Sequence, residues 1–302
     1  MKTKNTTMVL STLNSFFDVA ISTDIYRENF KNKYNIIVSC NDEKSIDKIS
    51  KLNIDDVVLG TNINLTSSEN YLKRYSLLSS RVLESIQMGL KTANLKFDSE
   101  FYVHNHADAW ILNEDKLTSV INSMGNKLVS CRGRGFGWYG KFSPVGMIDD
   151  HFLIMKKEFL TNTNFLNISP FELLPNRNNI HGMLAILLMG SIGLKNIIFH
   201  SDIRELEYWD GQKMNLLHNY VKPSSYDTNN NFLHVHQTAF PEEYGKSIQA
   251  HYLYINDIKK GKYIEELLDE HYMDKNELEI YVITVYKPSL KKFMNDFKTR
   301  RI

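Results

Sequence analysis

The amino-acid sequence predicts an α/β fold in which helices flank a mostly parallel central sheet. Within the first 113 residues, short runs of β-branched and aromatic residues alternate with segments of helical periodicity. This alternation is typical of parallel strands joined by helical crossovers. The composition predicts a sizeable core, because 42% of the 302 residues are hydrophobic and 24% are charged.

The first part of the chain contains four predicted strands and three predicted helices. The strands are expected at residues 7–10, 34–39, 56–60 and 100–104, and the helices at about 16–26, 44–52 and 69–92. Apolar residues of the longest helix keep the spacing of one buried face. None of these strands is followed by a GxGxxG or GxxxxGK(S/T) sequence, which argues against dinucleotide-binding and P-loop proteins.

After residue 113 the pattern becomes less regular. Helices are expected at 114–124 and 181–191, the second of them apolar and ended by Gly193, and strands at 127–130, 152–155 and 197–199. We therefore predict one catalytic domain over residues 1–250, divided into a first half of residues 1–113 and a second half of residues 114–250. The charged tail, residues 251–302, is expected to form a mainly helical extension packed on this domain.

Charge and hydropathy argue against several classes of protein. The formal net charge of +1 provides no overall field that would attract nucleic acid or an anionic membrane. Residues 1–7 lack the apolar stretch of a signal peptide, and the longest apolar run, residues 183–189, is too short to cross a bilayer. Cys40 and Cys131 are expected to be buried, reduced thiols. We therefore expect a cytoplasmic protein without a transmembrane segment.

The first candidate site follows the fourth predicted strand, where the sequence reads His106-Ala107-Asp108. A carboxylate at the end of a buried strand can hold a divalent metal that acts as a Lewis acid on a leaving diphosphate. The same carboxylate could instead cap the next helix. His234 and His236 alternate on a predicted strand, so both imidazoles could reach one metal, or one could lie in the core and the other in solvent.

Acidic residues of the second half are candidates for acid–base chemistry. Asp149 and Asp150 precede a predicted buried strand, and we expect only one of them to line a given cleft because neighbouring strand residues face opposite sides. Glu172 is a third candidate. His181 begins the apolar helix, where the helix dipole favours phosphate. Arg132 and Arg134, in a glycine-rich loop, could bind phosphate or could be solvated as most loop arginines are. Turn formation and helix capping are the structural alternatives.

The order of these features across residues 7–240 resembles the GT-A glycosyltransferase superfamily. In that family a Rossmann-like βαβαβ half binds the nucleotide, and a strand ends in an Asp-x-Asp motif that binds metal and diphosphate. His106-Ala107-Asp108 stands in the place of that motif, and His181 stands where the family has an acidic motif that opens a helix. His234 or His236 matches a late histidine of the family.

The resemblance implies a nucleotide-sugar donor, with UDP- or GDP-sugars expected first, and a divalent metal, Mn²⁺ or Mg²⁺. The residues that it implies for donor binding are Thr12, Asp42, Arg81, His106, Asp108 and His181. The implied metal ligands are His106, Asp108, His234 and His236. The acceptor hydroxyl would lose its proton to Asp149, Asp150 or Glu172, because the family's acidic pair is replaced by His181-Gly182.

The resulting prediction is a glycosyltransferase, of the hexosyl- or pentosyltransferase class, that acts on a glycan or lipid-linked glycan in cell-surface polysaccharide synthesis. It would work in the cytoplasm, with peripheral attachment at the inner membrane face as an alternative. The alternative functions are a glycosyltransferase acting on a modified DNA base, a sugar nucleotidyltransferase and an inactive carbohydrate-binding protein. Residues 11–15 lack the glycine and basic residues that a nucleotidyltransferase carries after its first strand.

Overall fold

The computed structural model describes residues 5–62, 71–111, 113–134, 147–172, 180–202, 224–227 and 232–235. The chain divides into two units, residues 1–206 with 227–232 and residues 207–226 with 233–302. The predicted boundary at residue 250 and the predicted helical extension lie outside the described residues.

A seven-stranded sheet forms the centre of the first unit. The strands of this unit are β1 (Thr6–Thr12), β2 (Asn35–Cys40), β3 (Asp56–Leu59), β4 (Phe101–His106), β5 (Ala109–Ile111), β6 (Val129–Arg134), β7 (Met147–Lys156) and β8 (Ile197–Asp202). The order across the sheet is β3-β2-β1-β4-β7-β6-β8, without β5. Among these described strands, β7 alone runs antiparallel to its neighbours. The predicted mostly parallel α/β sheet is therefore confirmed.

Six helices are described in the first unit, and local sequence explains several of their ends. They are α1 (Phe16–Asp24), α2 (Glu43–Ile49), α3 (Tyr71–Lys96), α4 (Glu114–Ser123), α5 (Lys157–Asn162) and α6 (Ile180–Ile192). A π-helical turn, Ile25–Asn29, continues α1, and a 3₁₀ turn, Leu194–Asn196, follows α6. Ser15 caps α1 by accepting a hydrogen bond from the Asp18 amide, and Asn113 caps α4 by accepting one from the Lys116 amide.

The main core lies between the sheet and helices α3 and α6. Buried residues of α3, among them Leu83 and Leu90, pack in one cluster with Val9 of β1 and with apolar residues of β6, β7 and α6. Gly89 permits the close approach of α3 to β1, because a Cβ atom at this position would lie 2.7 Å from Cγ1 of Val9. The predicted buried face of the long helix is thereby explained by its packing on the first strand.

Two further strands are described beyond residue 202. β9 (Ser224–Asp227) and β10 (Phe232–Val235) are neighbours in a small separate sheet. His234 therefore lies on a strand, as predicted. None of the described helices combines the length and apolar character needed to cross a membrane. Both cysteines are buried and neither forms a disulfide, as predicted.

Candidate functional site

The candidate site begins with an irregularity in β7. Because β7 is antiparallel, its first residues lie at the carboxyl ends of β4 and β6. Cys131 of β6 is opposite Leu153 and Gly133 is opposite Ile148, so β6 advances by two residues while β7 advances by five. The extra residues of β7 form a bulge, and bulges redirect side chains away from strict alternation. The bulged segment contains Asp149, Asp150 and His151.

The side chain of Asp149 is anchored by two neighbours. Nε of Arg132 donates a hydrogen bond to Oδ2 of Asp149 at 2.7 Å, and Nη2 donates a second hydrogen bond to the same oxygen. Both side chains are fully buried. The other carboxylate oxygen, Oδ1, lies 2.6 Å from Nδ1 of His151. Since a carboxylate paired with arginine only accepts hydrogen bonds, Nδ1 of His151 carries the proton.

Asp150 is surrounded by three histidines. Its Oδ2 lies 3.3 Å from Nε2 of His106, and its Oδ1 lies 3.0 Å from Nδ1 of His181 and 3.6 Å from Nδ1 of His151. The Asp150 side chain is 3% exposed. His106 comes from the end of β4 and His181 from the first turn of α6, so three elements supply the side chains around one carboxylate.

Burial and charge together determine which of these groups is ionised. Burial alone would raise the pKa of Asp150, but the nearby His151, His181 and His106 outweigh it and hold this pKa well below its usual value. Burial lowers the pKa of His106 to about 4, in spite of the nearby Asp150. The pKa of His104, whose ring centroid is 5.6 Å from that of His106, falls to about 3, chiefly through burial. At neutral pH the site therefore holds an ionised Asp150 carboxylate beside a neutral His106 imidazole.

The donor atoms of the site fit a cation. Two groups of three residues have potential ligand atoms within 4.8 Å of one another, namely His106, Asp150 and His151, and Asp149, Asp150 and His181. Among the described residues, Nε2 of His106 is buried without a hydrogen-bond partner, and the buried atoms Oδ1 of Asp150 and Nδ1 of His181 lie 3.0 Å apart. Buried polar atoms without partners are costly, and a bound cation would satisfy such lone pairs. Carboxylate and neutral imidazole are both common metal ligands.

Four of the residues singled out from the sequence come together here: His106, Asp149, Asp150 and His181. The structure adds two residues that were not assigned these positions. His151 joins the cluster, and its place beside the acidic pair in the sequence was the available signal. Arg132, which the sequence left as a phosphate-binding or solvated loop arginine, instead lies in β6, fully buried and bound to Asp149, so neither interpretation is correct for this residue.

The expected separation of Asp149 and Asp150 onto opposite sides of the sheet is also wrong. Oxygens of both carboxylates lie within 3.6 Å of Nδ1 of His151. The physical reason is the bulge in β7, because alternation of side chains holds only where the strand is regular.

The other predicted residues lie elsewhere among the described parts of the chain. Asp108 is half-buried in the turn between β4 and β5, outside both groups of converging ligand atoms. Thr12 ends β1, and its Oγ1 accepts a hydrogen bond from the Ser15 amide at 3.1 Å. Asp42 precedes α2 and accepts a hydrogen bond from the Ser45 hydroxyl.

Of the two remaining predicted residues with described side chains, Arg81 lies in α3 and Glu172 lies in a turn that is hydrogen-bonded to α3. Arg81 is buried in α3, and burial lowers the pKa of its guanidinium. Glu172 is exposed in a turn, two residues after Pro170, whose carbonyl accepts a hydrogen bond from Ser80 Oγ at 3.1 Å. The side chain of His234 and the whole of His236 lie outside the described residues, so their predicted role stays a prediction.

Comparisons with known proteins find solved structures only. No protein-family model and no curated protein matches the chain. The galactosyltransferase LgtC in complex with donor and acceptor sugar analogues aligns with 64% of this chain and 72% of its own, at 8% identity and a TM-score of 0.42. A glycosyltransferase involved in glycosylation of the major capsid of PBCV-1 aligns over 65% and 81%, at 11% identity and a TM-score of 0.39.

The bifunctional IspDF from Campylobacter jejuni aligns with 65% of this chain at 14% identity and a TM-score of 0.40. The match covers 49% of that protein, so the chain spans about half of its length.

Proposed function

We propose that the chain is a glycosyltransferase that moves a sugar from a nucleotide-diphosphate sugar to an acceptor hydroxyl. The observation that carries this proposal is the position of Asp150 and its three histidines at the carboxyl ends of β4 and β6. In open α/β sheets, ligands bind beyond the carboxyl ends of the strands. This edge also combines an ionised carboxylate with imidazole donors, which suits a metal that meets a diphosphate.

The residues of the site are suited to neutralise the negative charge that the reaction leaves on the diphosphate. Breaking the bond between sugar and diphosphate leaves negative charge on the leaving group. A bound divalent cation would neutralise that charge as a Lewis acid. Asp150 with His106 and His151, or with Asp149 and His181, are the residues that would hold it. Arg81 would add a positive charge from α3.

The position of Arg81 supports this role. Ser85, one helical turn further along α3, shares a hydrogen bond of 2.8 Å with Ser39 Oγ of β2. Residues four apart on a helix share a face, so Arg81 lies on the face that α3 turns towards the sheet. Ser39 is the penultimate residue of β2. Because α3 joins the carboxyl end of β3 to the start of β4, it begins at the carboxyl edge of the sheet. Arg81 precedes Ser85 by one turn and so lies nearer the carboxyl edge of the sheet, and we expect it to face a diphosphate bound beyond β1 and β2.

The nucleoside half of the donor is assigned to the ends of β1 and β2. Thr12 and Asp42 follow or end these strands and each accepts a local hydrogen bond that holds a helix start in place. The hydrogen bonds of Thr12 and Asp42 lie at the same edge of the sheet, because β1 and β2 are parallel. We expect this edge to receive the base and ribose.

The three candidate bases differ in their surroundings. Asp149 binds Arg132 and His151 through its two oxygens, which makes it a poor acceptor for a substrate proton. Asp150 is enclosed by histidines. Glu172 is exposed, and its turn is bonded to α3 next to Arg81. We therefore favour Glu172 as the group that takes the proton from the acceptor hydroxyl of a glycan or lipid-linked glycan.

A donor screen tests the proposal. The full chain with Mn²⁺ would be mixed with UDP-, GDP-, CDP- and dTDP-sugars, and both the thermal midpoint and the release of nucleotide diphosphate would be measured. A ligand at about 100 times its dissociation constant stabilises the folded state by about 2.7 kcal/mol. We expect one nucleotide class to raise the midpoint and to be hydrolysed slowly. If none of the four binds or is hydrolysed, the proposal is wrong.

A pair of matched variants tests whether the activity depends on this site. Asp150→Asn changes the central carboxylate of the site, whereas Asp98→Asn makes the same change at an exposed carboxylate that precedes β4 at the opposite edge of the sheet. We expect donor hydrolysis to fall by at least tenfold in the first variant and to be unchanged in the second. Equal activity in both variants would contradict the assignment of this site.

A further inference from the structure

We propose that His106, Asp150 and His151 form a transition-metal site with two imidazole ligands and one carboxylate, and that Asp149 positions His151 without binding the metal. The inference deepens the proposed function and rests on it only for what the metal does during sugar transfer. The choice of His106, Asp150 and His151 as ligands depends on contacts within this chain. It shares only His106 with the set that the sequence implied, which included Asp108, His234 and His236.

The choice between the two converging groups follows from Asp149. One group needs Asp149 as a ligand, but Oδ2 of Asp149 is bound by Arg132 and Oδ1 lies 2.6 Å from His151. Both the Asp149 and the Arg132 side chains are fully buried. Withdrawing Asp149 towards a metal would break its two hydrogen bonds with the buried guanidinium of Arg132, which is unfavourable. The group of His106, Asp150 and His151 does not include Asp149.

The contact between Asp149 and His151 is the arrangement that supports a metal-binding histidine. Histidines that bind metals almost always donate their other ring N–H to a carboxylate, a carbonyl or a water, and this bond fixes the tautomer and the ring orientation. Here Nδ1 of His151 meets Asp149, so the lone pair of His151 is on Nε2. Arg132 holds Asp149 in turn, which makes the orientation of His151 rigid.

The remaining members of the cluster are compatible with this ligand set. The ring centroids of His106 and His151 are 4.8 Å apart, and Nε2 of His106 lies 3.3 Å from Asp150 Oδ2 without a hydrogen bond to any described residue. Nδ1 of His181, whose side chain is 7% exposed, lies 3.0 Å from the other oxygen of Asp150, Oδ1. His181 is therefore placed to orient Asp150 or to join as a further ligand.

The donor atoms determine the class of metal. Two nitrogen ligands and one carboxylate suit Mn²⁺, Fe²⁺, Co²⁺ or Zn²⁺, whereas Mg²⁺ and Ca²⁺ prefer oxygen ligands. We therefore expect the site to bind Mn²⁺ or Co²⁺ in the presence of a large excess of Mg²⁺. A three-residue set also leaves coordination positions open for a substrate oxygen.

Metal titration without any sugar nucleotide tests this inference. The full chain, freed of metal, would be titrated with Mn²⁺ while the electron paramagnetic resonance signal of free Mn²⁺ is recorded, and Co²⁺ absorption would report the ligand environment. We expect one site whose Mn²⁺ affinity falls at least tenfold in Asp150→Asn and in His106→Gln, and by about 10- to 100-fold in Asp149→Asn through the misplaced His151. His106 is the least buried of these side chains, so its variant keeps the test valid if a buried variant does not fold.

Three outcomes would overturn the inference. These are the absence of Mn²⁺ binding by the wild type, unchanged affinity in both Asp150→Asn and His106→Gln, and displacement of Mn²⁺ by equimolar Mg²⁺. Loss of affinity in Asp108→Asn with retention in Asp150→Asn would place the metal at the turn after β4 instead, and would also overturn it. Asp98→Asn is the control and should bind Mn²⁺ as the wild type does. If Mn²⁺ binds as expected while every nucleotide sugar fails, the metal site stands and the glycosyltransferase proposal fails.

Discussion

Replacing Arg132 with methionine tests how the site is anchored. The Arg132 and Asp149 side chains are both fully buried, and two hydrogen bonds join them. Methionine keeps much of the apolar stem and removes the guanidinium, so the buried carboxylate of Asp149 loses both hydrogen bonds to Arg132 and keeps its contact with His151. Breaking a buried ion pair by removing one partner costs about 3–5 kcal/mol. That loss is a large share of the roughly 5–15 kcal/mol that stabilises a typical domain.

The assay is urea unfolding of the wild type, Arg132→Met, Asp149→Asn and the double variant. Each single variant leaves one buried charge, so each should lower the free energy of unfolding by about 3–5 kcal/mol, whereas the double variant removes both charges and should lose far less than the sum. Lys157→Met is the control, because Lys157 pairs with Asp98 at an exposed position and its loss should be too small to measure. Single variants within about 1 kcal/mol of the wild type, with additive effects in the double variant, would refute the buried ion pair.

Two further predictions concern packing and pH. Gly89→Ala should lower the free energy of unfolding by about 1–3 kcal/mol, because its Cβ would lie 2.7 Å from Val9 Cγ1. Gly190→Ala has no atom within 4 Å of its Cβ and should raise the free energy of unfolding by up to about 1 kcal/mol. Urea unfolding of both variants checks this, and equal effects would contradict the packing of α3 on β1. Burial alone would raise the pKa of Glu114, but hydrogen bonds from Asn32, the Lys31 amide and Tyr34 outweigh it and lower this pKa. The stabilising effect of the ionised Glu114 is therefore present above the unfolded pKa of about 4.3 and is lost as the pH falls through the folded pKa. Glu114→Gln should therefore flatten the acid side of the plot of unfolding free energy against pH. An unchanged acid side would contradict this prediction.

The strands of the first half could be predicted from the sequence because their burial is encoded locally. In β1 every residue is buried, and in β2 five of the six are. The apolar runs at their centres, residues 8–10 and 36–38, are typical of parallel strands covered on both faces. The predicted strands at 7–10 and 34–39 accordingly coincide with Thr6–Thr12 and Asn35–Cys40.

The start of β7 could not be predicted in the same way. The strand was expected at 152–155, but it extends over Met147–Lys156. Its first part contains Asp149, Asp150 and His151, which are polar and buried. Their burial depends on Arg132, His106 and His181, which are distant in sequence, so no local pattern reveals it. The register shift opposite Cys131 and Gly133 likewise depends on pairing between strands.

The chemistry of the site was partly contained in the sequence. Residue types alone pointed to His106, Asp149, Asp150 and His181 as polar groups beside buried elements, and the fold brings them together. The distinct parts played by the two aspartates depend on a buried arginine that the sequence pattern assigned to a loop. Only the three-dimensional contacts separate a carboxylate held by Arg132 from a carboxylate surrounded by histidines.

Anomalous X-ray scattering from crystals grown with Mn²⁺ is the most direct test of a metal site formed by His106, Asp150 and His151. We expect one strong manganese peak bonded, at about 2.0–2.3 Å, to the carboxylate of Asp150 and to the imidazoles of His106 and His151, with Asp149 still bound to Arg132. A manganese peak on Asp108 away from Asp150, or crystals that hold no manganese among these residues, would contradict it.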